Sequence, residues 1–276
     1  MEDGHRVAKV NIRSRKVMVG RAVPGAPHNL TVARRGTVAT ALWGDGRVAL
    51  VRSGRVRSVY LGGAPHDVKI AKGRLVVANQ GAARLEVLNL KGRVRGRIGL
   101  KANPHDLAIT PGGDKAWVTL EGSDDMAVVN LKTKRVRRYV STGRAPHDLL
   151  FAPNGRLWVT DWHGAVHVYN RWGKHLKSKP LGVEAHHLAF TPDGSQVWIT
   201  DHGAHRVFVL STSSYRILAR LRIAGAPHHV AITRDGRKAV VADHDRGVLV
   251  VYSVATRKRL ARIPVGPGPH GLGAVP

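Results

Sequence analysis

Histidine stands out in this chain of 276 amino acids: there are 16, against no cysteine. Seven follow one pattern, Pro27-His28-Asn29-Leu30, Pro65-His66-Asp67-Val68, Pro104-His105-Asp106-Leu107, Pro146-His147-Asp148-Leu149, Ala185-His186-His187-Leu188, Pro227-His228-His229-Val230 and Pro269-His270-Gly271-Leu272. Neutral imidazole is the commonest metal ligand in proteins, and sites with several of them suit zinc, copper, iron or nickel. The lack of Cys excludes thiolate metal sites, disulfides and cysteine nucleophiles. No Ser-His-Asp order, phosphate-binding glycine loop or HExxH string accompanies the histidines. Gly92, Gly96 and Gly99 lie in a basic strand region, not between a strand and a helix.

The spacing of the seven histidines identifies the element that must position them. Steps of 38, 39, 42, 39, 42 and 42 residues define a repeat near 40, which fits four short antiparallel strands with their turns, one propeller blade. Helical repeats of that length need a 3.6-residue apolar period, which is absent. Composition agrees: 31 Gly and 14 Pro against 3 Phe, 5 Tyr and 6 Trp point to many turns, and 43% apolar residues exclude disorder. Blade three shows the grammar, with strands at His105 to Thr110, Ala116 to Leu120, Met126 to Leu131 and Val136 to Ser141. Its turn Pro111-Gly112-Gly113-Asp114 recurs as Pro153-Asn154-Gly155, Pro192-Asp193-Gly194 and Arg234-Asp235-Gly236, with Gly where a tight hairpin demands it.

These features predict an all-β seven-bladed β-propeller of four-stranded antiparallel blades, one domain over residues 1–276, with blades starting at His28, His66, His105, His147, His186, His228 and His270. The residues after His270 supply one innermost strand, and residues 6–21 read as third and fourth strands. Blade seven is therefore shared by residues 1–27 and 270–276, and pairing of N- and C-terminal strands closes the ring. Its second strand is missing from the sequence, which leaves either a three-stranded blade or a chain lacking residues there.

Innermost strands line the channel of a propeller, so His28, His66, His105, His147, His186, His228 and His270 converge on one mouth as metal ligands. Seven imidazolium ions there would repel one another, which favours neutral rings with free lone pairs or a bound anion. The alternative is scaffold inherited by blade duplication. The second strand runs back to the same face. Its closing residues read Leu42-Trp43, Asn79-Gln80, Leu120-Glu121, Asp161-Trp162-His163, Asp201-His202 and Asp243-His244, so carboxylates and further histidines gather on blades four to six. Asp161, Asp201, His202 and His244 are the candidate catalytic acids and bases, and carboxylates beside ligating His would fix tautomers. Turn capping is the competing role for the Asp residues.

The Pro-His starts, the Pro-Asp-Gly-type turns and the strings Trp158-Val159-Thr160-Asp161, Trp198-Ile199-Thr200-Asp201 and Val240-Val241-Ala242-Asp243 resemble YVTN and NHL-type propeller repeats over essentially the whole chain. Pro65-His66-Asp67 and Pro146-His147-Asp148 are similar to the hub contexts of the peptidyl-hydroxyglycine amidating lyase family, NHL-type propellers of six blades that hold zinc with a subset of hub histidines. That resemblance implies that three of the seven suffice. Nitrous oxide reductases also gather His at a seven-bladed hub for copper, but with an appended Cys-containing domain that is absent here.

The leading expectation is a metal-binding propeller, a metal-dependent lyase or hydrolase with a divalent transition metal, zinc or copper first and iron third, acting on a small-molecule or peptide substrate at the hub. The alternative is a non-catalytic binder of polyanions, nucleic acid or an acidic cell-surface polymer, or of a protein partner. It rests on 45 Lys+Arg against 18 Asp+Glu, net +27, with Trp43 and Trp162 as stacking platforms. The basic residues, among them Arg93, Arg95, Arg97, Lys134, Arg135, Arg137, Arg138, Lys258 and Arg259, are scattered along the chain, as solvated outer strands would be. No stretch approaches the ~18 apolar residues of a membrane span, and residues 1–27 lack the apolar core of a signal peptide. A monomer outside the cytoplasm is expected.

Overall fold

A computed structural model of the chain describes residues 1–33 and 36–274. Strands of five to seven residues, rich in Val, Ile and Leu, pair antiparallel into seven sheets. Six sheets have four strands each: residues 27–60, 65–99, 104–141, 146–180, 185–222 and 227–264, blades one to six. Within each, neighbours in sequence are neighbours in the sheet, so the chain steps outward without a crossover. The innermost strands of successive blades touch one another, which arranges the sheets around a channel. The strands expected for blade three are observed as Pro104–Ile109, Lys115–Leu120, Asp125–Asn130 and Arg135–Ser141. The turn glycines Gly113, Gly155, Gly194 and Gly236 hold φ between +66° and +80°, which an L side chain adopts only with strain.

Burial follows position in the blade. Second strands are sandwiched between neighbouring blades and are apolar on both faces; in Lys238–Asp243 every residue after Lys238 is buried. Trp117, Trp158 and Trp198 occupy one column of these strands, fully buried, each against an aromatic ring of the next blade: Phe151 at 6.3 Å, Phe190 at 5.8 Å and Tyr252 at 6.1 Å. Fourth strands face solvent and carry much of the basic charge, as in Arg135–Ser141 and Arg259–Pro264. Among the described residues, no helix is long and apolar enough to cross a membrane.

Blade seven departs from the other six. Its only ladder joins β1 (Arg6–Asn11) to β2 (Lys16–Ala22). Residues 270–274 follow the path of an innermost strand but enter no sheet, because the strand that would lie between them and β1 is missing. The termini therefore close the ring without the expected strand ladder. The Glu2 N–H donates to the Gly268 carbonyl at 2.6 Å, while Val10, Ile12 and Leu272 pack on the core of blade six. Of the span assigned to this blade, Val275 and Pro276 lie outside the described residues.

A candidate metal centre at the hub

A recurring backbone irregularity aims the histidines. In blades one to six the first residue of the inner strand pairs with the last of the second strand, as in Pro146 with Asp161, and the register then breaks. In five of these blades it resumes three residues on, at Leu30, Leu107, Leu149, Leu188 and Val230. Such a bulge takes the histidine out of the ladder and re-aims its side chain. It also frees a backbone N–H, and threonine hydroxyls receive it. Thr119, Thr160 and Thr200 accept from the N–H of Asp106, Asp148 and His187, and donate to the carbonyls of His147, His186 and His228 on the next blade at 2.7, 2.6 and 2.6 Å. Alanines, Ala41, Ala78 and Ala242, hold this column in the other three blades.

Replacing Thr160 with Val leaves the buried Asp148 N–H and His186 carbonyl without a hydroxyl partner. A loss of about 1–3 kcal/mol is expected in urea denaturation, with Thr160→Ser close to wild type. A Val variant within about 0.5 kcal/mol of wild type removes the hydroxyl from any positioning role.

The seven imidazoles form a closed ring. Successive centroids lie 4.2 Å (His28–His66), 3.7 Å (His66–His105), 4.2 Å (His105–His147), 4.1 Å (His147–His186), 5.1 Å (His186–His228), 4.5 Å (His228–His270) and 3.8 Å (His270–His28) apart. His66 Nδ1 and His186 Nδ1 lie within hydrogen-bond distance of the carbonyls of His105 and His228. Among the described residues the buried Nδ1 atoms of His28, His147, His228 and His270 have no hydrogen-bond partner, and that of His105 has only the Asp106 carboxylate 3.5 Å away. Burial, then the neighbouring imidazoles, hold His28, His147, His186 and His270 well below the ordinary histidine value, and His228 down to about 2. His66 is also lowered, burial again coming first. His105 is the exception: against the cost of burial, Asp106 and further carboxylates hold it above the ordinary value. The ring is thus mostly neutral, with lone pairs free.

A second belt lies behind the ring, built from the residue that follows each histidine. Asp106 is its centre: Asn29 donates to it at 2.6 Å, and His66 Nδ1 and His105 Nδ1 approach its carboxylate at 3.3 and 3.5 Å. His187 Nδ1 lies 3.2 Å from Asp148 and 3.8 Å from Asp106, and His229 stacks on His187 at 3.5 Å. Lys69 donates to both oxygens of buried Asp67 at 2.7 Å. Burial pushes Asp148 well above the usual carboxyl range, with Asp106 adding to it. Asp106 itself, despite burial, is held well below that range by the imidazoles around it. The two carboxyls are thus pushed in opposite directions. The sequence pattern displayed this belt as an Asn, Asp, Asp, Asp, His, His column, and its variation concealed that these residues bond to one another.

Metal-binding potential follows from both layers. His147, His186 and His187 each bring a ring nitrogen within 4.8 Å of the other two, and His66, His105 and Asp106 form a second such group. Zinc takes three or four protein ligands, so seven rings exceed what one ion uses. Nitrogen donors with unpartnered lone pairs, backed by a carboxylate, match zinc, copper or iron.

The mouth above the ring is edged by one residue per blade: Trp43, Gln80, Glu121, Trp162, His202 and His244. Trp43 donates to Gln80, which donates to Glu121. Trp162 meets His147 edge-on at 4.4 Å, His202 meets His228 at 4.5 Å, and His244 stacks on His228 at 4.4 Å. The Glu2 carboxylate, 3.7 Å away, raises His244 above the ordinary histidine value, against burial. Of the four candidate acids and bases, the fold thus brings His202 and His244 to the ring. Asp161 instead accepts from the backbone of His163 and Ala165 and meets His167 at 2.8 Å. Asp201 accepts from the backbone of Val183, Glu184 and Ala204, and Asp243 from that of Gly225. Capping a turn is what these contacts accomplish, and a side chain at Gly182 would meet Asp201 at 2.0 Å.

A seven-bladed propeller with an imidazole ring at its hub is a structural class. Residues 94–275 match the YNCE-like beta-propeller family, and the chain belongs to it. It is similar to Protein NirF: 25% identical to that of Stutzerimonas stutzeri over 108 residues, covering 34% of this chain and 28% of NirF, and 23% identical to that of Pseudomonas aeruginosa over 180 residues, covering 59% and 44%. The match thus spans less than half the length of these relatives. Among solved structures, Kuenenia stuttgartiensis Hydrazine Synthase superposes with a TM-score of 0.82 at 17% identity, covering 91% of this chain and 90% of that one. Virginiamycin B lyase from Staphylococcus aureus gives 0.79 at 15%, covering 89% and 87%. A catalytically inactive histidine-to-alanine variant of that lyase with quinupristin gives 0.79 at 14%, again covering 89% and 87%. These likenesses are of fold. The YVTN and NHL resemblance narrows to this family and to seven propeller blades.

Proposed function

We propose that the chain is a metal-binding propeller enzyme, a lyase or hydrolase, whose hub histidines hold a divalent transition metal facing a small-molecule or peptide substrate at the mouth. The observation that carries this reading is the closed ring of largely buried imidazoles, four with an unpartnered Nδ1. His147, His186 and His187 are the best-grouped ligands, with His28, His66, His105, His228 and His270 completing the wall. A metal held there would supply Lewis-acid chemistry, polarising a substrate oxygen and acidifying water. Trp162 offers a flat apolar wall, and His244, kept protonated nearer neutrality than its neighbours by Glu2, is placed to give a proton to a leaving group. His202, which like His244 packs on His228, is the base. Asp161 and Asp201 serve the site by holding the loops that carry Trp162 and His202.

The fold of a streptogramin-cleaving lyase in which a histidine-to-alanine change abolishes activity is in keeping with hub chemistry of this kind. The amidating-lyase resemblance supports zinc. A polyanion partner is the weaker reading, because Arg and Lys are spread over the fourth strands around the circumference. A location outside the cytoplasm and a monomeric state belong to the same proposal.

Metal analysis of untagged protein tests it. About one equivalent of one transition metal is expected, falling at least tenfold in the His147→Ala, His186→Ala, His228→Ala triple variant while the far-ultraviolet circular dichroism stays that of a β protein. Substoichiometric metal in the wild type sinks the proposal.

A further inference from the structure

Away from the hub, blade four carries a chain of side-chain hydrogen bonds that no other blade repeats among the described residues. Asp161 closes its second strand and divides its oxygens: Oδ1 accepts from the backbone of His163 and Ala165, while Oδ2 lies 2.8 Å from His167 Nε2. Asp201, at the same position of blade five, spends both oxygens on backbone amides. The far side of the His167 ring puts Nδ1 2.8 Å from the Oγ of Ser178, its partner across the strands Ala165–Tyr169 and His175–Pro180. His175 Nε2 reaches the same hydroxyl at 2.8 Å. Where blade four has His167, the register puts Ala49, Ala127, Phe208 and Val250 in blades one, three, five and six, and in blade two Glu86, which Arg84 and Arg97 hold. Exposure rises along the chain: the Asp161 side chain is 6% exposed and that of His167 14%, while Ser178 is open to solvent. Val159 and Tyr169 share this face of the blade and pack on blade three, so the hydroxyl is on the side of blade four that faces blade three.

Proton positions follow from the partners. A carboxylate only accepts, so the His167 nitrogen facing Asp161 carries the ring proton and Nδ1 keeps its lone pair. Ser178 then donates to Nδ1, and His175 Nε2–H donates to Oγ. A buried carboxylate, an imidazole oriented by it and an exposed hydroxyl bonded to the other ring nitrogen make the arrangement that activates serine, which is recognised by geometry and roles rather than by chain order. We propose that Ser178, His167 and Asp161 form a second, metal-independent site that hydrolyses carboxylic esters presented from solvent, separate from the hub. Ser178 Oγ bonds to the acyl carbon as its proton passes to His167 Nδ1; the bond from that carbon to the alcohol oxygen breaks, and the departing oxygen takes the proton. Water then attacks the acyl-serine and gives a proton to His167, which returns it to Oγ as the carboxylic acid leaves. Ser178 and His167 are the catalytic residues, and Asp161 positions the ring. His175 supplies one N–H where negative charge develops beside Oγ. One donor makes for slow turnover, so covalent capture is the sharper assay.

The probe is an alkyl fluorophosphonate, which phosphonylates an activated serine and releases fluoride, added to the full chain at pH 7.5 both as purified and after metal removal. Peptide mass spectrometry is expected to find about one label per chain, on Ser178, in both samples and in the His147→Ala, His186→Ala, His228→Ala triple variant. Ser178→Ala takes up none there. His167→Phe installs the residue with which blade five folds and should slow labelling at least about 100-fold at unchanged far-ultraviolet circular dichroism. Asp161→Asn keeps an oxygen for the loop amides but turns an N–H toward His167, which moves the ring proton to Nδ1; labelling should fall at least about 100-fold, a loss that loop capping alone would not cause. An unlabelled Ser178 in the wild type overturns the proposal. So does labelling of His167→Phe at the wild-type rate, or loss of label in the folded triple variant, which would trace the reactivity to the hub. A labelled Ser178 in protein without hub metal upholds it whatever the outcome for the hub.

Discussion

Metal-free protein taken from pH 7 to pH 4.5 is expected to unfold. His28, His147, His186, His187 and His270 are held well below the ordinary histidine value, His66 below it, His228 at about 2 and His229 at about 3, in each case by burial first. In the unfolded chain the same side chains titrate near 6.5. Above that pH both states are neutral at these positions and they contribute nothing to stability. Below it the unfolded chain takes up protons that the folded chain refuses, so stability falls as pH falls, down to the depressed folded values. Each such histidine costs about 1.4 kcal/mol per pH unit in that window. Eight of them act in the same sense, against the 5–15 kcal/mol that holds a typical domain together. His105 and His244, which are raised, act in the opposite sense but are two against eight. Near-ultraviolet circular dichroism should show a cooperative transition between about pH 6 and 4.5, and bound metal should move its midpoint to lower pH. A native spectrum for the metal-free protein at pH 4 contradicts this account of the hub.

Asp106→Ala is expected to be the most damaging single substitution in the belt. The carboxylate receives Asn29, is flanked by His66, His105 and His187, and is almost wholly buried. Its removal leaves the Asn29 amide unpaired and His105 without the charge that keeps its proton. Lys69 is left with Asp67, while Asp148 is relieved of a like charge and titrates closer to its usual range. Removing one partner from a buried charged network costs about 3–5 kcal/mol, because the others stay buried without compensation. Urea denaturation at pH 7.5 measures it, and a change below about 1 kcal/mol would falsify the central place given to Asp106. Asp106→Asn retains an acceptor for Asn29 and should fall between the two.

Sequence periodicity carried the fold because each blade repeats one burial problem. Strands sandwiched on both faces are mostly apolar, fourth strands alternate, and turns need glycine at positive φ, so step lengths near 40 translate into blades. The ring was legible for the same reason: Pro-His marks the bulge that turns the imidazole inward. What hid from sequence was bonding between blades. Asp67, Asp106 and Asp148 looked like drift in a column beside the histidines, since contacts that join residues some 40 positions apart leave no local pattern. Asp161, Asp201 and Asp243 looked like carboxylates beside the ring because their strand ends there, yet their oxygens turn back to loop amides. The closing ladder was expected from strand lengths alone, and a ladder needs a partner that blade seven lacks.

The threonine column has a consequence for how the hub meets a ligand. Only blades three, four and five carry the hydroxyl, and each one pins the histidine of the blade that follows, so His147, His186 and His228 form an arc whose backbone is clamped from behind. His270, His28, His66 and His105 have no such clamp among the described residues. The ring is thus braced between blades by threonine on one side only. A group that meets the ring on this arc finds a backbone already held by hydrogen bonds between blades, so little chain entropy remains to be lost on that side.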